Sequence, residues 1–101
     1  MTMTGSGATT VVTLESSVRV PAHVVYRSFA LETVVVNLER GVYHGLNRTA
    51  GRMLDALERH PVVGDAAAKL AAEFARPLET IQADLCRFVS DLADRGLIEV
   101  R

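Results

Sequence analysis

Pro61 and Pro77 divide the second half of this chain into three stretches, each with apolar residues at helical spacing. Proline lacks a backbone donor and pushes the residue before it out of helical angles, so no single helix runs through either position. Ala50, Met53, Leu54 and Leu57 mark a first helix, with Asn47 as its N-cap and Pro61 as its stop. A second is expected from about Asp65 to Phe74, capped by Asp65 and burying Ala67, Leu70, Ala71 and Phe74. Pro77 suits the first turn of a third, where a missing N–H costs nothing. Ile81, Leu85, Phe88, Val89 and Leu92 form its apolar stripe. Gly96 ends it in the left-handed conformation, with Leu97 placed for the accompanying hydrophobic contact.

The first half reads as strands. Val18 to Phe29 is β-branched and aromatic but broken by Pro21, which predicts an edge strand or two short pieces. Val11, Val12 and Leu14 are candidates to extend it. Glu32 to Leu38 is a cleaner strand; its unbroken Thr33-Val34-Val35-Val36 run predicts partners on both faces. Glu39-Arg40-Gly41 is expected as a three-residue hairpin loop, with Gly41 left-handed, before a return strand from Val42 to Leu46. Met1 to Thr10, rich in Gly, Ser and Thr, reads as a flexible tail and leaves 11–101 as the folded unit. The expected class is α+β, winged helix-turn-helix-like: a three-stranded antiparallel sheet followed by three helices.

A chain of 101 residues is one domain with a modest core and little room for a deep substrate cavity. The net charge is −1, without the basic excess that drives binding to nucleic acid or anionic membranes. One cysteine, Cys86, excludes an internal disulfide and fits a reduced, cytoplasmic setting. No apolar run approaches the roughly 20 residues that span a bilayer, and the N-terminus has no secretory pattern.

No catalytic motif stands out. His23, His44 and His60 lie far apart without metal-ligand spacing, so neither a metal nor another cofactor is expected. His23 and His60 adjoin turns and are expected to be solvated, whereas His44 lies in the return strand and is kept as a contact candidate. Cys86 has no flanking histidine to activate it and reads as a buried, inert thiol. Helices two and three resemble a helix-turn-helix. However, Glu79, Asp84, Asp91 and Asp94 outnumber Arg87 and Arg95 on helix three, giving a face that repels phosphate. The pairs Asp84/Arg87 and Asp91/Arg95 have the spacing of ordinary surface ion pairs; the alternative is a polar rim beside a peptide groove.

Val34 to Leu54, "VVVNLERGVYHGLNRTAGRML", resembles the coenzyme PQQ synthesis protein D family. The pattern is an apolar strand, a short turn ending in Gly41, then Tyr43, Leu46-Asn47 and the small pair Ala50-Gly51. Asp84-Leu85, Phe88, Leu92 and Gly96-Leu97-Ile98 match the family's third helix and end, and the likeness runs from about Val18 to Val100. The resemblance implies a non-catalytic recognition domain for ribosomally made precursor peptides. The leader segment adds as a strand to the hairpin edge, beside the third helix. The implied partners are the precursor peptide and a separate modifying enzyme, such as a radical enzyme or the leader protease of a lasso-peptide pathway. At this length the expectation is the free-standing kind.

An open sheet edge is itself a template for another strand. The expected docking edge is Val42, Tyr43, His44, Gly45 and Leu46, where Gly45 admits close approach of another backbone. Val42 and Leu46 equally suit hairpin core. On helix three the groove candidates are Asp84, Arg87, Phe88 and Asp91, with Phe88 alternatively core. Two other classes remain open: a winged-helix DNA-binding regulator, and a small dimerisation domain joining two copies through a sheet edge.

Overall fold

The computed structural model describes residues 11–101, so the expected tail, Met1 to Thr10, lies outside the described residues. Eight elements follow in order: β1 (Val18–Arg19), β2 (Val24–Ser28), β3 (Glu32–Asn37), β4 (Val42–Asn47), α1 (Arg48–Arg59), α2 (Val63–Phe74), α3 (Leu78–Asp94) and β5 (Glu99–Val100). β2, β3 and β4 form the antiparallel sheet with β3 in the centre. The class is α+β, a three-stranded antiparallel sheet followed by three helices. The likeness to a winged helix is approximate, since the hairpin precedes the helix pair. Pro21 does split the first segment into two pieces, and the first of them, β1, leaves the sheet to pair with β5. That second, two-stranded sheet was not foreseen, because a two-residue strand has no legible period.

Side chains of the central sheet alternate cleanly. Thr33, Val35 and Asn37 of β3 are buried against the helices, whereas Val34 and Val36 are only half-buried on the other face. The valine run therefore does not mean partners on both faces. No element among the described residues covers the outer face, and Val25 and Phe29 beside it are 47% and 58% exposed. Beneath the inner face lies one core, in which Leu54, Leu57, Leu70, Leu85, Leu92 and Leu97 are essentially inaccessible.

The helix ends differ in how they are capped. Asn47 caps α1 through its side-chain oxygen, which accepts from the Ala50 N–H at 2.8 Å. α2 starts two residues before Asp65, and Asp65 is not its cap. Its first free N–H groups instead meet backbone carbonyls of the preceding segment: Val63 N–H donates to Ser16 (2.9 Å) and Gly64 N–H to Leu14 (2.8 Å). Leu14 is thus a cap rather than a strand residue, and Val11 and Val12 do not extend β1. Pro77 stands just before α3 rather than within its first turn. Gly96 takes φ +74°, and Leu97 N–H returns to the Leu92 carbonyl at 2.9 Å, the expected left-handed ending.

Gly51 is a point of close approach between α1 and β3. A Cβ there would meet Thr33 Cβ at 3.1 Å, with Thr33 Oγ1 closer still. Thr33 is buried and its hydroxyl is engaged with Ser28 Oγ at 3.0 Å, so it has little freedom to retreat. Gly51→Ala gains roughly 1 kcal/mol of helix propensity. It should nonetheless be net destabilising, by about 1–2 kcal/mol, because overpacking outweighs that gain. Urea denaturation measures the difference, and a stabilised Gly51→Ala protein would contradict this packing.

Candidate functional site

The hydrogen-bond parity of β3 decides what its neighbours expose. Leu38 N–H donates to the His23 carbonyl and Phe29 N–H to the Glu32 carbonyl, both at 2.7 Å. The even-numbered residues of β3 therefore direct their backbone groups at β2. In an antiparallel ladder these directions alternate, so Thr33, Val35 and Asn37 direct theirs at β4. Their partners there are Leu46, His44 and Val42. It follows that Tyr43 and Gly45 turn their N–H and C=O groups outward, to an edge that nothing pairs with among the described residues.

The hairpin holds this edge in register. The loop is Leu38 to Gly41, four residues rather than the expected three, because β3 ends at Asn37. The buried Asn37 side chain accepts from the N–H groups of Glu39 (3.0 Å) and Arg40 (3.2 Å), turning the chain immediately after the strand. Gly41, at φ +68°, completes the reversal and donates to the Asn37 carbonyl at 2.9 Å.

On the inner face of β4, cover is lost along the strand: Leu46 is buried, His44 half-buried and Val42 45% exposed. Leu46 thus belongs to the core, whereas His44 and Val42 are progressively more exposed. On the outer face Tyr43 is 73% exposed, its ring supplying an apolar body with a polar tip. Gly45 is exposed too, and among the described residues the only atom that a Cβ would meet is Glu32 Oε2, at 3.5 Å. Nothing in the fold requires glycine there.

The α3 candidates share one flank. Phe88 is half-buried and packs against the core. Arg87 is held by Asp84 at 2.6 Å and Arg95 by Asp91 at 3.3 Å, the two pairs that their spacing allows. Among the described residues no hydrogen bond or ion pair joins this flank to β4. The two remaining histidines are less exposed than the sequence implied. His23 is half-buried with Nδ1 3.8 Å from Glu39 Oε2, and His60 is half-buried at the end of α1. Cys86 is half-buried rather than buried, and burial pushes its thiol above the ordinary cysteine value, which disfavours the reactive thiolate. Tyr26, whose hydroxyl donates to Glu58 at 3.2 Å, is likewise raised, first by burial and then by the Glu58 charge. Among the described residues no three His, Cys, Asp or Glu side chains gather to hold a metal. No described helix is long and apolar enough to cross a membrane.

Sequence reasoning missed Glu32. Its register partner is Asn47, so Gly45 is its diagonal neighbour on the outer face. Only a register, not a sequence, reveals that proximity.

A helical layer behind a small sheet whose two edge strands stay unpaired among the described residues defines a class of domain suited to taking up another strand. Within that class the assignment is specific: the chain belongs to the family of coenzyme PQQ synthesis protein D, whose profile matches residues 32–98. Among solved structures it is similar to "TbiB1 in Complex with the TbiA(beta) Leader Peptide", with 27% identity and TM-score 0.74 over 80% of this chain and 94% of that one. It shares its fold with "Lasso peptide synthetase B1 complexed with the leader peptide", at 20% identity and TM-score 0.73, over 82% and 98% of the two chains. A search of curated protein sequences finds no match.

The parity of β4 is testable by proline. Gly45→Pro removes an N–H that the fold leaves unused and should change stability by less than about 1 kcal/mol. His44→Pro removes a ladder bond to Val35 and should cost roughly 3 kcal/mol. The reverse order of losses in urea denaturation would show that the outward and inward residues have been interchanged, and equal losses would contradict the parity.

Proposed function

We propose that this chain binds the leader segment of a ribosomally synthesised precursor peptide by strand addition along Val42 to Leu46, and presents it to a separate modifying enzyme. The observation that carries this reading is the outward display of the Tyr43 and Gly45 backbone groups on an open edge. Main-chain bonds of this kind give affinity with little demand on sequence, and side-chain contacts on the two faces add selectivity. The neighbours' leader complexes support the same ligand class.

Under this reading Val42 and His44 border the space that receives the leader's inward side chains, and Phe88 supplies apolar surface on α3. Asp84, Arg87 and Asp91 form a polar rim there. The chain itself performs no catalysis; its partner is a leader protease, a radical enzyme or a similar peptide-tailoring enzyme. DNA binding is disfavoured by α3, where Asp84 and Asp91 already hold Arg87 and Arg95 and leave Glu79 and Asp94 uncompensated.

Calorimetric titration with a synthetic leader of the cognate precursor tests the proposal. Binding should be micromolar or tighter, and Gly45→Pro should weaken it by about tenfold or more, the scale of one or two lost backbone bonds. Arg87→Glu should change it by less than about threefold, since an exposed, already paired guanidinium contributes little. Undiminished affinity in the folded Gly45→Pro protein overturns docking at β4. No binding at about 100 μM leader overturns the reading as a whole.

A further inference from the structure

We infer that Glu32 and the bare backbone of Gly45 form a specificity subsite for one cationic leader side chain, lysine or arginine, on the outer face of the sheet. The inference rests on leader docking at β4. Glu32 and Gly45 lie diagonally across the β3–β4 pair, a separation that long side chains readily span. The Glu32 carboxylate leans across in this way: its Oε2 lies 3.5 Å from the position a Gly45 Cβ would take. It occupies space that any other β4 residue would fill with its own side chain, so the missing Cβ brings a negative charge toward the docking edge.

That charge is uncommitted. Glu32 is exposed, and its carboxylate has no hydrogen-bond or ion-pair partner among the described residues. The nearby cations do not neutralise it by contact. Arg27 shares the outer face one strand further over and Arg48 begins α1, yet neither comes within ion-pair distance. Arg52 and Asp55, which line the same cleft as Glu32, are engaged elsewhere, with Glu73 and Arg59. A strand added along β4 places alternate side chains on the outer face. The one beside Gly45 passes over bare backbone and meets the carboxylate. Tyr43 and Asn47, the flanking outer-face residues, are uncharged and bound the gap on either side.

The test is selection of extended peptides from a displayed library of random twelve-residue sequences, using the full chain and its Glu32→Gln, Glu32→Lys and Gly45→Pro variants. Glu32 is exposed, so both Glu32 variants should fold. The unaltered chain should enrich Lys or Arg at one fixed position. Glu32→Gln should lose that preference, and Glu32→Lys should replace it with Asp or Glu. Peptides selected on the unaltered chain should bind Glu32→Lys about three- to tenfold more weakly, the range of a partly exposed ion pair. Identical preferences with Glu32 and Lys at this position, in peptides whose binding Gly45→Pro abolishes, would overturn the subsite and leave docking intact. Peptides insensitive to Gly45→Pro, or no enrichment at all, would overturn docking at β4 and the subsite with it.

Discussion

The backbone hydrogen bonds of β3 are the constraint from which the site follows. A central strand offers its donors and acceptors alternately to the two sides, and β3 uses its odd residues toward β4 and its even ones toward β2. This fixes which side chains face the core, and it equally fixes which groups of β4 are left over. The burial of Val35 and the outward N–H of Gly45 are therefore consequences of one register. A slip by one residue would invert both, exposing the core positions and turning the accessible amides inward.

The helical layer makes that register costly to change. α1 lies so close to β3 that only the missing side chain of Gly51 admits Thr33. α2 is held at its start by carbonyls of the 14–16 segment, and β1 is tied both to the Pro61 carbonyl and to β5. A rigid sheet presenting a mostly prepaid arrangement of donors loses little entropy when a strand is added, which is the usual source of affinity in such docking. The outer face of the sheet is different: apolar, uncovered by any described element and bordered by the Glu32 carboxylate, it offers discrimination rather than support.

Much of the fold was legible in the sequence. The three helices follow from apolar spacing and two prolines, and Asn47, Gly41 and Gly96 act as their residue types predict. The failures share a physical cause. Asp65 was a plausible cap, but backbone carbonyls from a distant segment took that role. The valine run suggested two covered faces, though β-branched residues favour strands whether or not both faces are buried. Gly45 was recognised as permissive, yet the residue that exploits the gap, Glu32, sits thirteen positions earlier and is joined to it only by pairing. Cross-strand relations are set by register, and no local pattern encodes them. The charged residues of α3 were read from spacing alone, and the two ion pairs formed as that spacing allows.

Amide hydrogen exchange, resolved by residue and followed with and without the leader peptide, tests the central claim most directly. In the free protein the Tyr43 and Gly45 amides face an open edge and should exchange quickly, whereas His44 and Leu46, bonded to β3, should be protected. Saturating leader should slow Tyr43 and Gly45 markedly and leave Tyr26 and Ser28, on the opposite edge of the sheet, unchanged. Protection that appears at Tyr26 and Ser28 instead, or slow exchange at Gly45 before any leader is added, would contradict the account.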